Sequence, residues 1–152
     1  MANENSLNQQ NIVFADDLEG VDWEEASIVF ERAPLGRKKR DPAQLRKAFE
    51  ASYAVVIALD SGKVVGMCRA LCDGQYQAAI YDMVLLPEFQ GKGIGKEMLD
   101  RLCNKLPVEN IILYSVPGKE GFYSKCGFQK MRTAMAKLNP AVSDPEDGYL
   151  FP

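Results

Sequence analysis

The residues that most constrain the fold run from Ala78 to Leu106, where an apolar segment meets a glycine-rich turn and a helical repeat. The apolar segment ends at Pro87, and the turn at 90–96 reads QGKGIGK. From Ile94 onward, apolar residues recur at helical spacing, which predicts an amphipathic helix. A strand, a glycine-rich turn and a helix start can bind a phosphate, because successive backbone N–H groups and the positive helix end point the same way.

The rest of the chain predicts a single α+β domain over residues 11–152, preceded by a disordered polar tail at 1–10. The predicted elements are a strand at 11–14, helices at 22–32 and 41–52, strands at 53–59, 64–72 and 78–86, a helix at 93–106, a strand at 110–115, a short helix ending near 125, and a last strand at 128–137. The first three strands after the helices should form an antiparallel meander, since short turns join them. The strand at 110–115 follows a crossover helix, so it should run parallel to 78–86.

Charge and side-chain chemistry exclude several classes of function. The chain has 18 basic and 21 acidic residues, which does not favour nucleic-acid binding, and the basic cluster at 37–40 indicates a solvated loop. It has no histidine, which removes a histidine base and histidine metal ligands, so we expect no metal. No apolar stretch approaches the roughly 20 residues of a membrane span, and residues 1–10 lack a signal-peptide core, so we expect a cytoplasmic protein without a membrane partner. The four cysteines form no C-x-x-C pair and are expected to be buried free thiols.

Three explanations compete for the glycine-rich turn. A P-loop, G-x-x-x-x-G-K-[ST], is excluded by Gln90 and by Glu97, which leaves no hydroxyl for Mg²⁺. A dinucleotide fingerprint, G-x-G-x-x-G, accepts Gly91 and Gly93 but fails at Lys96, and a meander precedes it rather than a βαβ unit. A turn that merely happens to be rich in glycine stays open.

A fourth pattern, Q/R-x-x-G-x-G/A, matches every fixed position of residues 90–95. Here the chain resembles the GCN5-related N-acetyltransferase (GNAT) superfamily, as a small bacterial-type member, in which this motif binds the pyrophosphate of acetyl-coenzyme A. The stretch GFYSKCGF at 121–128 is similar to the family's F-Y-x-K-x-G-F pattern, so the resemblance covers about residues 50–137. It implies an α/β/α-layered GNAT fold, with a mixed, mostly antiparallel sheet of about six to seven strands, a splayed parallel central pair and about four helices.

The resemblance also implies that acetyl-CoA is the co-substrate. Its pyrophosphate would bind the turn, and its pantetheine arm would bind the preceding strand in the gap between the two parallel strands. Glycines remove side chains where a pyrophosphate approaches the backbone, while the two lysines either add charge for the phosphates or are ordinary solvated residues. The residues expected to bind it are Met83, Val84, Leu85, Gln90, Gly91, Lys92, Gly93, Ile94, Gly95 and Lys96.

Two residues are candidates for the chemistry. Tyr123 matches the family's general-acid tyrosine, and a phenol of pKa about 10 can protonate a thiolate whose thiol has a pKa of about 8.5. The alternative is that Tyr123 has no catalytic role and only packs against neighbouring residues. Asp82 is the charged residue of the apolar run 78–86, where a carboxylate needs a partner or a function. We expect it to be a base or an amine anchor, directly or through water, or else a structural carboxylate, on the opposite sheet face from Met83.

The acceptor pocket is expected to come from the first two helices, the loop between them and the strand region around 76–81. Its candidate residues are Trp23, Phe30, Leu35, Tyr76, Tyr81 and Tyr114, each with core packing as the alternative. The resemblance implies acetyl transfer to a small primary amine, and residues 65–70 and 81–96 are similar to bacterial and plant arylalkylamine N-acetyltransferases. Protein lysine or N-terminal acetylation and a non-catalytic acyl-CoA-binding regulatory module are the alternatives. Dimers are common in the family, so a homodimer is a further expectation.

Overall fold

The computed structural model describes residues 11–33, 39–139 and 148–151. They fall into two compact units that divide after Leu113. The first unit contains β1 (Ile12–Ala15), α1 (Trp23–Arg32), α2 (Pro42–Glu50), β2 (Ala54–Asp60), β3 (Lys63–Cys72), β4 (Gln77–Leu85), a 3₁₀ turn (Pro87–Phe89), α3 (Ile94–Asn104) and β5 (Asn110–Ile112), and the second contains α4 (Glu120–Lys125). The predicted disordered tail at 1–10 and the candidate pocket residue Leu35 lie outside the described residues.

The sheet of the first unit has the strand order β1-β2-β3-β4-β5. Its first four strands pair antiparallel, and β5 pairs parallel to β4, which confirms the predicted meander and the predicted parallel pair. The β4–β5 ladder joins Gln77–Ala79 to Asn110–Ile112, at the start of β4. In the described residues the later part of β4 therefore extends past the ladder with β5.

The two N-terminal helices start where their capping residues predict. The Asp22 carboxylate accepts hydrogen bonds from the backbone N–H groups of Glu24 and Glu25, and the Asp41 carboxylate accepts one from Gln44. Pro42 occupies the first position of α2, where a missing N–H costs nothing. Capping aspartates satisfy donors that a helix start otherwise leaves unpaired, so the sequence alone fixes these two boundaries.

Helices cover both faces of the sheet. On β3, the Arg69 guanidinium lies over the ring of Phe49 in α2, whereas the Cys68 thiol contacts the Met98 carbonyl in α3. Consecutive strand residues point to opposite faces, so α2 and α3 lie on opposite sides, as the predicted α/β/α layering requires. Gly66 allows close packing, because a Cβ there would lie 2.9 Å from Leu85 Cδ1 and 3.0 Å from Met98 Sδ.

The four cysteines are thiols rather than disulfides, as predicted, but they differ in burial. Cys68 is fully buried, and this desolvation raises the pKa of its thiol far above the ordinary value. The other three thiols are half-buried rather than buried. In the described part of the chain, none of the helices combines the length and the apolar character needed to cross a bilayer.

The predicted last strand at 128–137 is wrong. These residues have no regular secondary structure, and Met131 and Met135 are exposed. The described residues accordingly form five strands rather than six to seven. Alternating apolar residues favour a strand only where a neighbouring strand accepts the ladder hydrogen bonds, and this segment pairs with none in the described residues.

Candidate active site

A β-bulge at Asp82 interrupts the pairing of β4 with β3. Met67 pairs with Val84 and Arg69 pairs with Tyr81, so two β4 residues stand opposite one β3 residue. Asp82 has a positive φ of 55°, a conformation that aspartate tolerates better than most side chains. The expectation that Asp82 and Met83 point to opposite faces assumed an unbroken strand. A bulge re-aims its side chains, so strict alternation does not apply at this position.

The strand segment after the bulge contains Met83, Val84 and Leu85, the predicted contacts for the pantetheine arm. It lies beyond Ala79, where the described ladder with β5 ends. Strand backbone whose one edge lacks a neighbouring strand can hydrogen-bond an extended ligand there, as in other cases of strand addition. The segment thus fits an amide-containing arm, and its Leu85 carbonyl already accepts a hydrogen bond from the Gln90 side chain at 3.0 Å.

The glycine-rich turn connects this strand segment to α3. Gly91 and Gly93 have φ values of 74° and 83°, which strongly favour glycine. Gly93 is the N-cap residue of α3, and its carbonyl accepts the Glu97 N–H at 3.1 Å. The first N–H groups of a helix have no intrahelical acceptor, so the backbone amides of Ile94 and Gly95 can donate hydrogen bonds to an anion.

The polar side chains of the turn have different surroundings. The Gln90 side chain donates a hydrogen bond to the Leu85 carbonyl and so connects the turn to the end of β4. The Lys92 ammonium lies 6.0 Å from the centre of the Phe89 ring, and Lys92 is exposed. The Lys96 ammonium forms an ion pair with Asp100 at 2.6 Å. Among these, Lys92 is the cation better placed for a phosphate, because Asp100 offsets the charge of Lys96.

Asp82 forms an ion-paired cluster with two arginines. Its Oδ1 lies 3.0 Å from Arg40 Nη2, and its Oδ2 lies 2.7 Å from Arg69 Nε. The Asp82 and Arg69 side chains are 10% and 16% exposed, whereas Arg40 is 42% exposed. We call Arg40, Arg69 and Asp82 the arginine–aspartate cluster. The predicted need for a partner at Asp82 is met by two guanidinium groups rather than by backbone.

Aromatic rings surround this cluster. The Arg40 guanidinium lies 5.3 Å from the centre of the Phe30 ring. The Arg69 guanidinium lies 5.9 Å from that of Phe49 and 5.6 Å from that of Tyr81. Phe30 and Tyr81, two predicted pocket residues, are thus brought to the cluster. Tyr76, a third, is 75% exposed in the turn between β3 and β4, outside this set of ring contacts.

Sequence reasoning missed Arg40 and Arg69. One signal was available for Arg69, since it is a charged residue within the otherwise apolar core of β3, beside a strand whose apolar run carries Asp82. Buried opposite charges on neighbouring strands are expected to pair. Arg40 carried no such signal, because it belongs to a basic run next to a helix cap.

Tyr123 lies on α4, in the second unit. Its ring contacts the rings of Phe122 at 5.0 Å and Phe128 at 6.2 Å between centroids. The Phe128 N–H donates to the Tyr123 carbonyl at 3.0 Å, and Gly127 has a φ of 90° that ends the helix. The motif at 121–128 therefore folds as a short helix closed by glycine, with a half-buried Tyr123 between two phenylalanines.

The described side chains contain no group of three or more histidine, cysteine, aspartate or glutamate residues arranged to hold a metal ion.

Known sequences match more than half of the chain. The model of the acetyltransferase (GNAT) domain matches residues 51–130. GCN5-related N-acetyltransferase 1, chloroplastic, from Arabidopsis thaliana is 36% identical over 115 residues, which are 72% of this chain and 57% of that protein. Serotonin N-acetyltransferase 2, chloroplastic, from Oryza sativa subsp. japonica is 35% identical over 116 residues, with the same two coverages. The chain thus spans little more than half the length of these relatives.

Solved structures share the fold. A putative acetyltransferase from Deinococcus radiodurans superposes with a TM-score of 0.70 at 24% identity, over 83% of this chain and 87% of that one. A GNAT family acetyltransferase from Streptococcus pneumoniae gives a TM-score of 0.70 at 24% identity, over 84% and 98%. These structures confirm the predicted fold class. The match to the GNAT domain model and the similarity to the two plant relatives confirm the predicted family. This chain belongs to the GNAT acetyltransferase family.

Proposed function

We propose that the protein is an acetyl-CoA-dependent N-acetyltransferase that acetylates a small primary amine. The observation that carries the proposal is the turn at 90–96, where two glycines with positive φ place a helix N-terminus next to a stretch of β4 that pairs with β3 but, in the described residues, lies beyond the ladder with β5. A Cβ added at Gly91 or Gly93 would meet no atom within 4 Å, so open space lies beside these backbone groups. That space and the Lys92 charge fit a pyrophosphate.

The turn amides bind the pyrophosphate, and the backbone of Met83, Val84 and Leu85 binds the pantetheine arm. Bound acetyl-CoA supplies an acetyl group activated as a thioester. The amine nitrogen forms a bond to the acetyl carbon, the carbon–sulfur bond breaks, and Tyr123 gives its proton to the departing thiolate. The nitrogen loses one proton to solvent, and Tyr123 regains a proton from solvent.

The cluster geometry favours Asp82 as the amine anchor. A carboxylate has about four lone-pair positions, and the two guanidinium contacts leave further acceptor capacity on both oxygens. A hydrogen bond from the amine, made directly or through one water, would orient its lone pair towards the thioester and give the amine proton a route to solvent.

The direct test is thiol release from acetyl-CoA with a panel of small primary amines, together with a lysine-containing peptide. We expect amine-dependent release with small acceptors and slower release with the peptide. Release with the peptide alone would support protein acetylation instead. Binding of acetyl-CoA without turnover of any acceptor would support a non-catalytic module. A homodimer and a cytoplasmic location stay predictions, and the two plant relatives are named as chloroplastic.

Replacing Gly93 by alanine should weaken acetyl-CoA binding about tenfold. A side chain at the positive φ of residue 93 costs about 1–2 kcal/mol, so the free variant is expected to relax to a turn conformation whose amides no longer converge. Acetyl-CoA binding must then restore the strained conformation, and this cost lowers the affinity. Calorimetric titration with acetyl-CoA measures the effect. Gly62→Ala is the matched control, because Gly62 has a φ of 81° and open space but lies in the β2–β3 turn. Equal affinities of the two variants would contradict the pyrophosphate assignment.

Replacing Asp82 by asparagine should lower kcat/KM for the amine by about ten- to a hundredfold at neutral pH. A hydrogen bond to a charged group contributes about 1.5–3 kcal/mol, and asparagine keeps the size and tolerates the positive φ. Steady-state kinetics, with acetyl-CoA and the amine varied in turn, should show the loss in kcat/KM for the amine. Glu50→Gln, which removes an exposed ion pair with Arg46, is the control. An unchanged kcat/KM for the amine would remove Asp82 from the mechanism.

A further inference from the structure

Among the described residues, the arginine–aspartate cluster brings two guanidinium groups to one carboxylate, so it carries a net positive charge. Half-buried charge that lacks a counter-ion is costly, and a ligand of opposite sign can supply the missing charge. The excess charge lies at the proposed acceptor site, one residue before the strand segment proposed to bind the arm.

Arg40 is the member of the cluster that a ligand can reach. Arg69 is fixed between the Phe49 and Tyr81 rings, bonds to Asp82 and reaches the Ser52 hydroxyl at 3.5 Å. Arg40 stacks on Phe30 and is 42% exposed. A guanidinium has five N–H donors in a planar fork, so the bond from Arg40 Nη2 to Asp82 leaves further donors for a carboxylate.

The neighbouring opposite charges of Arg40 and Asp82 suit a zwitterion. Their side chains place a cation and an anion 3.0 Å apart. An α-amino acid carries its amine and its carboxylate on one carbon, so it can offer the amine to Asp82 and the carboxylate to Arg40 at once. A simple arylalkylamine would satisfy Asp82 alone and leave the Arg40 charge unbalanced.

We infer that the acceptor is an amino acid with an apolar side chain, and that Arg40 selects it by binding its carboxylate. This inference rests on the proposed function of the same site. The ring of Tyr81, a half-buried residue beside Arg69, provides apolar surface for the side chain, whereas Phe30 beneath Arg40 is only 4% exposed. The products are the N-acetyl amino acid and coenzyme A, formed by the transfer described above.

The test uses acceptor pairs that differ only in the carboxylate, namely phenylalanine with phenethylamine and tryptophan with tryptamine. The wild-type protein should show a kcat/KM at least about tenfold higher for the amino acid of each pair. Arg40→Ala should reduce that ratio by about ten- to a hundredfold, the range expected for a charged hydrogen bond, and Arg40→Lys should retain part of it. Arg46→Ala, on the exposed side of α2, is the control and should keep the ratio.

Two further outcomes separate this inference from the proposed function. Calorimetric binding of phenylalanine and of phenethylamine to the protein saturated with coenzyme A is measured alongside turnover. Turnover with ratios that Arg40→Ala does not change would overturn the inference and leave the acetyltransferase proposal standing. Binding of phenylalanine that needs Arg40, without turnover of any acceptor, would support the inference and overturn the proposed reaction.

Discussion

Tyr123→Phe is expected to lower kcat by about 10²–10⁴-fold, the usual contribution of a positioned general acid. Phenylalanine keeps the ring that packs against Phe122 and Phe128 and removes only the hydroxyl. The departing thiolate then has to take its proton from water. Because the ring packing is preserved, the melting temperature should change little, and the loss should appear in kcat rather than in acetyl-CoA affinity.

Thiol release at saturating substrates measures this effect, with acetyl-CoA binding followed by calorimetry. Tyr53→Phe is the matched control, since Tyr53 is an exposed tyrosine just before β2, distant in sequence from the motif at 121–128. A kcat for Tyr123→Phe equal to that of the control would show that Tyr123 is a packing residue and that another group, or solvent, supplies the proton.

Phe49→Ala is expected to lower the free energy of unfolding by about 3–5 kcal/mol, the range for a large aromatic removed from a packed core. Phe49 is 1% exposed, and its ring contacts Trp23 at 5.9 Å and Phe30 at 6.2 Å between centroids. It also lies beneath the Arg69 guanidinium. The loss is a large part of the roughly 5–15 kcal/mol by which domains are stable.

Urea unfolding followed by circular dichroism gives the change in midpoint and in free energy. Ile28→Ala is the control, because Ile28 lies on the exposed side of α1 and is 48% exposed, so its removal should cost less than about 0.5 kcal/mol. A similar small effect at Phe49 would mean that α2 contributes little to the core. The position of Arg69 over the Phe49 ring would then need another explanation.

Local chemistry predicted much of this fold because it acts over a few residues. The aspartate caps at Asp22 and Asp41 defined two helix starts, and short turns predicted the meander. Gly91 and Gly93 have positive φ values, as expected for a turn in which glycines let a ligand approach the backbone. Each of these features depends on a few neighbouring residues.

Contacts between distant segments could not be predicted in the same way. Asp82 pairs with Arg40 across 42 positions, and the bulge that holds it depends on the register between β3 and β4. A strand pattern at 128–137 was misleading because a strand also needs a partner, which local sequence does not reveal. The acceptor side of the site is therefore where sequence reasoning was weakest, and it is also where the specificity of the protein is proposed to lie.

In the proposed reaction, the acetyl group passes directly from acetyl-CoA to an amine within one ternary complex. Initial velocities of thiol release, with acetyl-CoA and phenylalanine or phenethylamine each varied, test this direct transfer. We predict double-reciprocal lines that intersect, because both substrates must be bound before the carbon–sulfur bond breaks. Parallel lines, which indicate a covalent acetyl-enzyme, or thiol release that does not depend on the amine, would contradict the account.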